Sequence, residues 1–270
     1  MAANSNAGGD SVGPARAWSW AGIGRFASVV AAFGIFGQTV LFLVAAGGLL
    51  GEGPTYTQTS AGAARDLADY YVSYFEHQHS ILWDIAVRDT LGPIAFLALM
   101  VLAVTLVNMV GPRRPEAQLL MLFFVVGGVL VAVTDLIYLA LTSYWRHSDW
   151  EATPPENMIA VGRSAEAIHE VTTFPQYAGL VVLALGLGCV GRLCRLDDAL
   201  SSRLGILAYA EAVALVGVAF TAVLRLDTAY NVLGLTSGAL LGPAVAIWLG
   251  RDIARPRAAA PSTAAHKAIG

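Results

Sequence analysis

Two carboxyl side chains stand inside long apolar stretches of this sequence: Asp135 in Val133-Thr134-Asp135-Leu136 and Glu211 in Ala210-Glu211-Ala212. An ionisable group at membrane depth costs several kcal/mol unless it is paired, protonated or wetted. Asp135 is therefore the strongest single candidate for chemistry, as a proton donor. The structural alternative for Asp135 is a hydrogen bond to a neighbouring helix or a pair with Arg88 or Arg225. Glu211 falls about two turns inside its stretch, and a helix–helix hydrogen bond or a reach towards Arg203 or Arg192 would explain it.

Further ionisable groups cluster just outside the apolar stretches. On a helix His77, Ile81, Asp84 and Arg88 share a face, with Asp89 next in the chain. Arg163, Glu166 and Glu170 line another face, with His169 beside them. Two such helices facing each other above Asp135 would make a polar pocket. In it Asp84, Asp89, Glu166, Glu170 and His169 would support Asp135, while Arg88, Arg225, Trp83 and Tyr138 would contact substrate. Glu76-His77-Gln78-His79 offers two imidazoles and a carboxylate, and His169-Glu170 could complete a shell. On a helix residues 77 and 79 point apart, so no metal and no cofactor are expected. Nucleophile-elbow, phosphate-loop and paired-cysteine redox patterns are missing from the sequence. The single lysine, Lys267, lies outside every apolar stretch, which excludes a retinal Schiff base.

The elements that must carry these residues are membrane helices. The chain has 270 residues, 56% apolar and 13% charged, against about 25% charged in a soluble domain. Mean hydropathy is +0.63. A net charge of -3 gives no reason to expect a nucleic-acid partner. A bilayer core needs ~20 apolar residues as helix, and such stretches occur at 26–50, 90–110, 119–141, 173–193, 204–224 and 229–250. The predicted class is all-α, a polytopic bundle of about six spans over residues 23–252. Segments 1–22 and 253–270 are expected to be disordered cytoplasmic tails. Residues 61–83 place Leu67, Tyr71, Tyr74, Phe75, Gln78 and Leu82 near one helical face, which predicts an extra amphipathic outer helix running into the second span.

With the N-terminus inside, eleven of the sixteen cations fall on the cytoplasmic side, most clearly in Arg113-Arg114 and in the turn 195–203. A cell-membrane protein with both termini cytoplasmic is expected. Trp18, Trp20, Trp83, Trp145, Trp150 and Trp248 all fall at span ends or in adjoining loops, as interfacial rings should. Pro93, Pro175 and Pro243 are expected to kink their helices. Gly234, Gly238 and Gly242 form a doubled G-x-x-x-G row, read first as packing within the chain and second as an oligomer contact. Cys189 and Cys194 are five apart on one helix and are read as unpaired thiols.

The order of parts resembles an uncharacterised bacterial family of six-helix membrane proteins. The shared parts are Arg25 before a Gly-rich first span, long first and third connections, the short basic Gly111-Pro112-Arg113-Arg114, and the turn 195–205 into two closing spans. The lysine-poor, Ala/Gly/Val/Arg-rich usage looks like that of an actinomycete. In size and intramembrane acids the chain is also similar to small integral-membrane terpene cyclases, which implies carboxyl groups protonating an epoxide or alkene. Three readings follow: acid–base chemistry on a hydrophobic or isoprenoid substrate, a small-solute transporter or export/immunity factor, and a non-catalytic membrane scaffold or regulatory partner. The lipid bilayer is the common partner of all three.

Overall fold

The computed structural model describes residues 19–46, 63–147 and 152–255. All elements among them are helical: α1 (Trp20–Ala46), α2 (Ala63–Ser80), α3 (Leu82–Val110), α4 (Pro115–His147), α5 (Pro155–Leu196), α6 (Ser202–Val223), α7 (Asp227–Leu235), a π-helical turn (Thr236–Leu241) and α8 (Gly242–Ile253). Six helices are long and apolar enough to cross a membrane, the last being the continuous run of α7, π-turn and α8. The protein is an integral membrane protein with an all-α bundle. Most of the two expected tails, Trp18 and Trp150 lie outside the described residues.

The spans form a closed ring in chain order. α1 packs on α3, α3 on α4, α4 on α5, α5 on α6, and α6 on the last span, which returns to α1. Leu102, Leu106, Leu120, Leu193, Leu204 and Leu249 fill the interior. Large apolar side chains point the other way: Phe33, Ile206, Val213 and Leu240 are each more than 60% exposed. In water such a surface would be an aggregation liability; in hydrocarbon it costs nothing. Since lipid is as apolar as Leu, close packing rather than the hydrophobic effect must hold the ring. The α4–α5 contact is an example, where a Cβ on Gly127 would stand 2.8 Å from the Gly179 carbonyl oxygen.

The first turns of α1 meet the last turns of α8, as Gly24 packs on Ile253 and Gly250 on Ser28. The same end is laced by polar contacts. Arg192 meets Glu116 at 2.9 Å and Arg114 meets Asp197 at 3.1 Å. The buried Asp252 carboxylate accepts hydrogen bonds from the backbone N–H and hydroxyl of Ser201 at 2.8 and 2.7 Å, and pairs with Arg255 at 3.1 Å. Ser201 in turn caps α6 by accepting from the Leu204 N–H.

The opposite end is taller. α5 has 42 residues, about 63 Å of helix, and outreaches a ~30 Å hydrocarbon core. Its projecting first turns receive α2. Ala68, Tyr71 and Phe75 bury themselves against Met158 and Ala165, with the Tyr71 ring seated over Gly162. The predicted amphipathic helix exists, but it does not run smoothly into the second span. The chain bends at Ile81, at φ -104° and ψ 17°, before α3 begins. Aromatic and aliphatic side chains make the core of this helix's meeting with the lead-in of α5, and one of the predicted polar groups, Glu166, joins it through the Tyr71 hydroxyl.

Pro243 distorts the last span, as expected. Proline lacks an N–H and its ring collides with the carbonyl of residue i-4, here Ala239. The preceding turn widens to π geometry, in which the Gly242 N–H bonds the Ser237 carbonyl. Two of the three glycines of the predicted row serve packing within the chain, Gly238 against Thr39 and Gly242 against Ile35, whereas a side chain at Gly234 would meet open space.

Candidate functional site

Closing the ring leaves a cavity of about 690 Å³ in its centre, within the ~300–1,000 Å³ usual for a small-molecule site. Every span contributes to its wall. Ile35, Phe96, Leu99, Phe124, Leu183, Leu215 and Val245 make it mainly apolar, and Asp89, Asp135 and Glu211 place three buried carboxyls on it.

Asp135 is 3% exposed. Its Oδ2 accepts a hydrogen bond from Gln38 Nε2 of α1 at 3.2 Å. Neither Arg88 nor Arg225 pairs with it; of the alternatives read from sequence, the hydrogen bond to a neighbouring helix is the one found. Gly92 of α3 makes the arrangement sterically feasible, because any Cβ at that position would overlap the Asp135 carboxylate and press on Gln38. Thr134, the preceding residue, hydrogen-bonds across to the Thr172 carbonyl of α5 at 3.3 Å, fixing α4 against α5 beside the carboxyl.

Arg88 and Asp89 also line the cavity. The Arg88 Nε donates to Asp89 Oδ1 at 3.2 Å, and Asp89 Oδ2 has no partner. Tyr138 and His169 face each other edge-on with ring centroids 5.0 Å apart. The Tyr138 hydroxyl shares a 2.8 Å hydrogen bond with Thr173 and reaches the His169 carbonyl at 3.3 Å. Both residues lie on the wall, as do Tyr74, Tyr177 and Tyr230. Arg225 sits on the wall in the tight turn before α7, with a left-handed φ of 56° that is costly for a side chain of its kind. It pairs with Glu170 at 3.6 Å, and both partners are well exposed, so the pair adds little stability.

Of the residues read from sequence as one site, the structure brings Asp135, Asp89, Arg88, His169, Arg225 and Tyr138 to one cavity. Glu170 reaches it only through Arg225. Asp84 is fully buried in the first turn of α3, with neither carboxylate oxygen bonded, and does not line the cavity. Trp83 points outward at 57% exposure. Glu166 turns instead to the α2 contact. There the Tyr71 hydroxyl is pushed up to about 12 by burial first, and then by its hydrogen bond to Glu166 and that carboxylate's charge. Burial and the same carboxylate raise the neighbouring Tyr70 as well.

Glu211 is 5% exposed, and its Oε1 accepts a 2.7 Å hydrogen bond from Ser237 in the π-turn. The helix–helix hydrogen bond is thus the alternative realised for Glu211. Gln38, Gly92 and Ser237 were not singled out from sequence. A glutamine in an apolar span is a usable signal for Gln38. Gly92 and Ser237 carry none, because their roles depend on which helix lies opposite.

The chain matches no protein family, no curated protein and no solved structure.

Proposed function

We propose that this membrane protein is an enzyme that performs acid–base chemistry on a lipophilic, isoprenoid-like molecule held in the central cavity, with Asp135 as the proton donor. The observation that carries the reading is the Asp135 carboxyl buried on the wall of a largely apolar cavity of about 690 Å³. Gln38 holds one carboxyl oxygen, which leaves the other free to carry the proton. Protonation of an alkene forms a C–H bond from the π pair and leaves a carbocation. A ring closure or a shift follows, and loss of a neighbouring proton to a carboxylate restores the double bond. The free oxygen of Asp89 is an acceptor on the same wall. The net change is an isomerisation and needs no oxidant or cofactor. Aromatic rings of Tyr74, Tyr138, Tyr177 and Tyr230 offer faces that favour a passing cation. The similarity to small membrane terpene cyclases in size and buried acids points the same way.

In this reading the basic turns around Arg113-Arg114 and 195–203 are cytoplasmic, both termini share that side, and the Asp135 end of the cavity belongs to the outer leaflet. The experiment is incubation of the nanodisc-reconstituted chain in heavy water with squalene, geranylgeraniol and their epoxides, followed by mass spectrometry. Solvent deuterium is expected at carbon in the product, and Asp135→Asn should lower its appearance at least about 100-fold while the protein still folds. Full activity in that variant would sink the proposal. A carrier reading draws on Asp135 and Glu211 sharing one cavity, and it would be favoured by uptake of these compounds into proteoliposomes without chemical change.

A further inference from the structure

Glu211 is a buried acid on the cavity wall that this chemistry does not use. Ser237 fixes its Oε1, while Oε2 is buried with no partner. The ion pairs formed among the described residues all involve other acids. An acceptor oxygen left unpaired in hydrocarbon costs several kcal/mol. Gly242 lets the last span pack closely on the carboxyl, since a Cβ there would stand 3.3 Å from Glu211 Oε1. Two arginines line the wall, Arg88 and Arg225, and they are engaged by Asp89 and Glu170, which leaves neither for Glu211. A fixed carboxyl with one unpartnered oxygen, apolar surroundings and no cation of its own suits a ligand that brings positive charge on an apolar body.

We propose that Glu211, oriented by Ser237, forms a binding site in the central cavity for the charged group of a lipophilic cation, an amine or onium compound bearing apolar substituents. The site does not depend on Asp135 being a proton donor.

The test is equilibrium dialysis of radiolabelled tetraphenylphosphonium against the full chain in phosphatidylcholine nanodiscs, with empty nanodiscs as background. Saturable binding is expected, and Glu211→Gln should weaken it at least about tenfold. Neutral triphenylphosphine oxide, added to the unaltered protein, should not compete, and this comparison requires no variant to fold. Absence of saturable binding, equal affinity in Glu211→Gln, or competition by the neutral compound as strong as by the unlabelled cation would each overturn the proposal. Binding is read without turnover, so its failure leaves the Asp135 chemistry standing, and loss of that chemistry leaves this site standing.

Discussion

Asp135 and Glu211 occupy similar apolar contexts in the sequence and differ in what the fold sets against each. Asp135 meets an amide and a glycine; Glu211 meets a hydroxyl and a widened helical turn. Single residues also set the behaviour of the α2 contact. The Tyr71 proton is held to about pH 12, chiefly by burial and then by Glu166, against an ordinary value of about 10. Because the folded value is the higher one, the stabilisation is fully present below about pH 10 and is lost as pH rises towards 12. An ultraviolet difference titration between the wild type and Tyr71→Phe should show one tyrosine ionising near pH 12. A difference transition near pH 10 would mean that Tyr71 is not buried against α5.

At the scale of elements, the last span is the least regular and carries the most specific consequence. Pro243 forces the π-turn, and the π-turn turns Ser237 towards Glu211. Replacing the proline should let residues 236–241 relax to α-helix and carry Ser237 off the carboxyl. A double-mutant cycle of Glu211→Gln and Ser237→Ala, read by thermal unfolding in detergent, should give a coupling of about 0.6–1.7 kcal/mol. In a Pro243→Ala background the coupling should fall to zero. A coupling unchanged by Pro243→Ala would show that the proline does not set the Ser237 position.

For the whole molecule, the ring of six spans separates an end laced by ion pairs from an end built of α2 and the projecting part of α5. The proposed orientation, which rests on the cation bias, puts the first of these in the cytoplasm. With Cys189 and Cys194 replaced by alanine, a membrane-impermeant maleimide applied to intact cells should label Asp227→Cys and leave Asp198→Cys unlabelled until the cells are opened. The opposite pattern would invert the protein and place the Asp135 end of the cavity at the inner leaflet.

The sequence alone determined the class of solvent, the number of spans and their order. Each of these depends on summed hydropathy over ~20 residues, a quantity that needs no knowledge of neighbours. It also marked Asp135, because a lone acid in an apolar run is conspicuous whatever surrounds it. The lengths of α4 and α5 escaped the same reasoning, since a helix that leaves the bilayer continues in polar sequence that hydropathy does not count. The amphipathic face of α2 was legible, but its partner was not. Tyr71 and Phe75 announce that they need cover, and only tertiary packing decides that Met158, Gly162 and Ala165 provide it. The cavity, the amide of Gln38 beside Asp135, the gap at Gly92 and the Ser237–Glu211 bond were decided by the closed ring. Each requires atoms from helices distant in sequence to meet at one depth, and no local pattern encodes that registry.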